Sequence, residues 1–94
     1  MADVMVSTGG VPYDYQTLDT IFAIDSSTSG FLTGVDPNKA FLGVKNSLKA
    51  KCQALGGDAV LFCQFEYRNA LADGFLGKKQ AIEIFAYGTA VKRV

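Results

Sequence analysis

In the middle of the chain, apolar residues recur at three- and four-residue steps: Phe41, Val44, Leu48, Cys52 and Leu55. That spacing draws one stripe down a helix. Both ends of the helix are marked. Asp36 suits the N-cap, since its carboxylate can accept from free first-turn amides and favours the positive end of the dipole. Pro37 follows where a missing N–H costs nothing. Gly56 ends the run by tolerating the left-handed conformation. Lys39, Lys45, Lys49 and Lys51 fall mostly off the stripe and give a basic back.

Past Gly57 the period changes to two, which predicts a strand over Ala59 to Arg68. Ala59, Leu61, Cys63, Phe65 and Tyr67 are expected on one face, with Val60, Phe62, Gln64, Glu66 and Arg68 on the other. A closing strand, QAIEIFAYGTAV, sets Ile82, Ile84 and Ala86 against Ala81, Glu83, Phe85 and Tyr87. The stretch between them, NALADGFLGKK, reads as a loop carrying Leu71, Phe75 and Leu76. Upstream, Tyr15 to Ile24 is rich in β-branched and aromatic residues and predicts a strand with Leu18, Phe22 and Ile24 on one face. Met5 to Thr8 gives a short first strand, broken by Gly9, Gly10 and Pro12. The turn-rich DSSTSGFLTGVDPN then leads into the helix.

These elements add up to a two-layer α+β domain, β-α-β-β with a short extra N-terminal strand. One amphipathic helix covers one face of an antiparallel-rich three-stranded sheet. Nothing in the chain is left for the other face, although it carries aromatics. Self-association is the physical way out, with Phe62, Phe75, Phe85 and Tyr87 as the expected contacts.

Composition narrows the function classes. Ninety-four residues make one domain, residues 1–94, and no apolar run approaches the ~18 residues of a membrane span. The N-terminus lacks the pattern of a secretory signal, so two cysteines read as cytosolic thiols and the expected location is cytoplasmic. Nine basic and nine acidic residues cancel. They are unevenly placed, with five aspartates and no base in residues 1–36 and four lysines and no acid in residues 37–57. The basic helix is short and no aromatics interleave its lysines, so nucleic acid is not expected as a partner.

GGDAVLFCQFEY followed by AIEIFAYGTAV resembles the C-terminal half of the YbjQ-like family of small uncharacterised proteins, and VSTGGVPYDYQ is similar to its N-terminal strands. The resemblance implies a dodecin-like subunit assembled into a ring, commonly a pentamer, and carries a heavy-metal-binding label. The helix here is shorter and richer in lysine than in many relatives.

The residues offer that label little. No histidine is present, which excludes imidazole ligands and histidine-based catalysis. Cys52 and Cys63 form no Cys-x-x-Cys clip; each lies on an apolar face, where cysteine serves as a small hydrophobe. The alternative is that a thiol repeated around a ring gathers a soft metal or a selenium species, which requires Cys63 to face an axial channel. GFLGKK lacks the spacing, the Ser/Thr and the helix of a phosphate loop. Asp14, Asp19 and Asp25 lack the pattern of a calcium loop and read as ordinary surface. Glu66 and Glu83 lie on neighbouring strands as paired carboxylates do in acid–base sites, but pairing with Arg68, Lys78 or Lys79 is the simpler expectation. The leading expectation is a non-catalytic homo-oligomer with no cofactor, acting as scaffold or small-ligand binder. Behind it stands a soft-metal or selenium binder using Cys63 and Cys52. Third is an enzyme with an intersubunit site built from Glu66, Tyr67, Arg68, Glu83 and Tyr87.

Overall fold

The computed structural model describes residues 3–28, 37–74 and 77–94. Its elements are β1 (Met5–Val6), β2 (Tyr15–Thr28), α1 (Pro37–Ala54), β3 (Ala59–Gly74) and β4 (Gly77–Arg93). They build one sheet in the order β1-β3-β4-β2. β1 runs parallel to β3, and β4 is antiparallel to both β3 and β2. The helix lies across one face, chiefly over β2 and β4. The β2-α1-β3-β4 succession is the expected β-α-β-β unit, and the short first strand enlarges the sheet to four.

The helix begins at Pro37 as its sequence predicts; the expected cap, Asp36, lies outside the described residues. At its C-terminal end Gly56 takes φ +80°. Gly57 N donates to Cys52 O and Gly56 N to Gln53 O, both at 2.9 Å. This pair of bonds is the Schellman closure, and it satisfies carbonyls that the helix end would otherwise strand. The buried row is Ala40, Val44, Leu48 and Cys52, spaced strictly by four. Phe41 and Leu55, expected in the stripe, are exposed. Phe41 lies beside the row and packs its ring on Phe65, with centroids 4.7 Å apart. Gly43 lets β2 come close, because a Cβ there would collide with the Asp25 carboxylate.

The strand faces differ from strict alternation in two places. Pairing steps from Leu61↔Thr89 to Gln64↔Tyr87, so β3 has one residue more than β4 across that interval. Phe62 sits in this bulge at φ +53°, the left-handed region that non-glycine residues rarely enter. An extra residue reverses the alternation. Val60 and Cys63 therefore join the core under the helix, while Ala59 and Leu61 pack with Val91 in a separate small cluster. Gly88 makes the bulge possible: a Cβ there would stand 2.8 Å from Val60 Cγ1 and 3.3 Å from Cys63 Cα. A second irregularity at Leu18 does the same to β2. Leu18 packs on the main core, and beyond it Ile21 and Ala23 are buried whereas Phe22 and Ile24 are not. Of the three residues expected on one face, Phe22 and Ile24 stay together, and Leu18 is parted from them for that reason.

The expected loop between the last two strands is also corrected. Pairing continues through Ala70↔Ala81 and Asp73↔Lys78 to Gly74↔Gly77, so NALADG and GKKQ are two arms of one ribbon. Phe75 and Leu76 lie outside the described residues. Sixteen residues of β3 span roughly 53 Å at strand rise and the 18-residue helix only about 27 Å. The molecule is 53 Å long, and its radius of gyration of 15.7 Å exceeds the roughly 12 Å of a compact chain this size. The ribbon overhangs what the helix can cover.

Candidate functional site

Two places have chemistry to consider: the sheet face opposite the helix, and the thiols beneath it. On the open face, register brings Phe22 against Tyr87 and Ile24 against Phe85. Phe85 lies 6.3 Å from Phe22 and 5.9 Å from Tyr87, centroid to centroid. Phe22 and Ile24 keep 59% and 61% of their surface and Tyr87 39%, while Phe85 is half-buried among them. Four large apolar side chains in contact form a continuous patch, which an isolated soluble subunit rarely presents. Of the contacts expected from sequence, Phe85 and Tyr87 belong to this patch. Phe62 is exposed at the bulge with its ring near Gly10, and Phe75 lies outside the described residues.

Beside the patch, Ile24, Phe65, Glu66, Tyr67, Arg68, Glu83 and Phe85 line an open concavity of about 750 Å³. Four of the five residues of the enzyme hypothesis meet here; Tyr87 does not line it. Arg68 Nη2 pairs with Glu83 at 2.9 Å, and Arg68 Nε donates to the same oxygen, Glu83 Oε2. That carboxylate oxygen is thus already engaged by the guanidinium of its own chain. Glu66 stands opposite Phe85, not Glu83. The concavity therefore offers hydrogen-bonding edges and an apolar floor, as a binding surface does.

The thiols are placed differently. Cys52 and Cys63 both have 0% exposure and share one core cluster with Val44, Leu48, Val60 and Ala90. Cys63 thus points beneath the helix, away from any channel on the open face. Burial pushes the thiol pKa of each up from its ordinary 9.0, and for Cys52 the nearby Asp58 charge adds to the rise. Cys52 Sγ lies 3.4 Å from Ala59 O, to which it can donate a weak hydrogen bond. Soft metals take thiolate, and both positions oppose its formation. Among the described residues, no three Cys, Asp or Glu side chains gather as a ligand set. Among the described residues, the donors of this chain do not fit a resident heavy metal.

Comparison with known proteins bears on this. Residues 38–94 match a protein family described as "Putative heavy-metal-binding", YbjQ_1. The chain belongs to that family. A protein of unknown function from Pediococcus pentosaceus, in the DUF74 family, which is the same family, has a similar structure. The two share 22% identity at a TM-score of 0.70, over 97% of this chain and 98% of that one. The likeness extends the shared fold to the N-terminal strands, which the family match omits. No curated protein matches.

The stretches that resemble the YbjQ family have structural work in this chain. In GGDAV, the glycines close the helix, and Asp58 Oδ2 accepts from Arg93 N at 2.7 Å, tying the chain end to the start of β3. In GTAV, Gly88 accommodates the bulge while Ala90 and Val91 fill the two clusters.

Proposed function

We propose that this protein is a non-catalytic homo-oligomer, closed as a ring, serving as a scaffold or as a binder of small ligands at its subunit boundaries. The observation that carries the reading is the uncovered patch of Phe22, Ile24, Phe85 and Tyr87. A ring needs two unlike surfaces that meet head to tail. The patch, edged by Glu66 and by a Glu83 that Arg68 already pairs, supplies one with a slight excess of negative charge. The back of α1, with Leu42 exposed between Lys39 and Lys45, supplies a second of opposite charge. Five copies is the number that the family resemblance favours. Native mass spectrometry tests the reading on freshly purified protein, reporting copy number and any retained ligand or metal together. Several chains per particle are expected, with Ile24→Glu reducing them to one; a wild-type monomer at micromolar concentration overturns the reading.

A further inference from the structure

The sheet has two outer edges, and they are finished differently. On β2, Thr20 N donates to Asp19 Oδ1 and Ser26 N to Asp25 Oδ1, each at 2.8 Å, and Lys51 Nζ donates to Phe22 O. All three capped groups belong to even-numbered residues, which alternation places on one side of the strand, away from β4. Side chains that occupy outward backbone groups close an edge to strand addition, and a lysine there is a common guard.

The edge of β3 is finished only at its beginning. β1 and the turn after it cover β3 as far as the bulge, where Phe62 N donates to Gly9 O and Cys63 N to Ser7 O. Beyond Cys63 no described strand runs beside β3 on that side, although β3 continues to Gly74. Among the described residues no side chain caps Gln64 to Asn69 as Asp19, Asp25 and Lys51 cap β2. A bare edge of this length binds another extended chain through main-chain hydrogen bonds, and its side chains choose which.

The side chains choose a second copy of themselves. Glu66 and Arg68 stand two residues apart and share one face of the sheet, with Tyr67 between them on the opposite face. If two copies of this edge run antiparallel with Tyr67 on the symmetry axis, Glu66 of each faces Arg68 of the other. Both cross-strand pairs are then of opposite charge. Parallel pairing with the capped edge of β2 would displace three hydrogen bonds and offers no such match.

We propose that the β3 edge from Gln64 to Asn69 docks the same edge of a second copy, antiparallel, with Tyr67 on the twofold axis. The inference rests on the homo-oligomer reading for its occupant but adds a different contact, and the two can fail separately. A twofold contact makes the number of chains even, so a ring of five would occur as a pair of rings.

Cysteine placement tests it. Residues facing themselves across an antiparallel axis have Cα atoms ~4.5–5.5 Å apart, within reach of a disulfide. Tyr67→Cys is expected to link most chains in pairs under mild oxidation. The wild-type protein, whose own thiols are buried, and Ile24→Cys on the guarded strand are the controls and should stay unlinked. Failure of Tyr67→Cys to self-link overturns the proposal. So does linkage that appears only when Tyr67→Cys and Ile24→Cys are mixed, which would mean head-to-tail pairing of β3 with β2. Glu66→Arg needs no disulfide. It sets like charges across the axis and should weaken pairing roughly tenfold in dilution experiments while the circular dichroism of the subunit is unchanged. An odd number of wild-type chains by native mass overturns the twofold and leaves the homo-oligomer intact.

Discussion

The two faces of this sheet are built from similar residues and treated in opposite ways. Under the helix, Ile21, Ala23, Ile82, Ile84 and Ala86 are shielded by Ala40, Val44, Leu48 and Cys52. On the other side, Phe22, Ile24, Phe85 and Tyr87 are larger and less covered. The buried face took the smaller residues because a helix must approach closely, as Gly43 against Asp25 shows. The open face kept the aromatics, which bring large contact area to a surface meeting a separate body. On the homo-oligomer reading proposed above, one face serves the subunit and the other would serve the assembly.

Truncation should separate those roles most sharply. Leu48 is fully buried at the centre of the helix row, and Leu48→Ala should cost about 2–5 kcal/mol in subunit unfolding, measured by urea denaturation. Ile24→Ser removes a side chain of similar size from the open face. It should change subunit stability by only about 0.5 kcal/mol while abolishing association by light scattering. If both variants lower subunit stability alike, the division between the faces is wrong.

Gly88→Ala tests the bulge that sorts residues between the faces. The added methyl would press within 2.8 Å of Val60 Cγ1 and 3.2 Å of Leu61 O. Backbone surrounds it on two sides, so relief requires the bulge to shift. A loss of about 1–3 kcal/mol is expected by thermal or urea unfolding, and no loss would mean that the bulge is soft.

Helix and strand existence were legible in the sequence; the sorting of side chains was not. Pro37 and Gly56 mark the helix because their backbone requirements are local. The reversal at Phe62 is not local: it depends on Gly88, 26 positions further on, leaving room for an extra residue. Strict alternation therefore carries Ala59 and Leu61 to the wrong cluster, and across the irregularity of β2 it carries Leu18 to the wrong face. The ribbon was missed for a similar reason, since Asn69, Asp73 and Gly74 are turn-forming residues overruled by pairing with β4. For the candidate site, Phe85 and Tyr87 were legible as unburied aromatics. Phe22 and Ile24 were legible as apolar, but not as their neighbours, because register across β4 places them there.

The buried thiols sharpen the comparison through pH. Folded Cys52 and Cys63 hold their protons above 9.0, whereas in the unfolded chain they ionise near that value. Above pH 9 the unfolded state therefore binds fewer protons than the folded one, and stability must fall as pH rises. Well below pH 8 both states are protonated and the thiols contribute no slope. Cys63→Ala should flatten part of the alkaline loss in urea titrations between pH 8 and pH 10. Alkylation of either thiol in the native protein should be slow, and fast labelling of Cys63 at pH 8 would place it on an accessible surface instead.

A small effect on stability belongs to Lys51, whose ammonium lies 5.0 Å from the centroid of the Phe22 ring and donates to the Phe22 carbonyl. It links the helix to a residue of the open face, reached around the β2 edge. Lys51→Met keeps the stem and removes the charge. An exposed contact of this kind contributes about 0.5–1 kcal/mol, so the subunit should remain folded with a slightly lower urea midpoint. Assembly should respond more than stability. With the Phe22 carbonyl freed, the edge of β2 loses a guard while the side chains flanking it remain apolar, and slow growth of species larger than the wild-type assembly is expected by light scattering over days. If Lys51→Met lowers the midpoint but leaves the size distribution unchanged, Asp19 and Asp25 close that edge without it, and the lysine serves only to hold Phe22 in place.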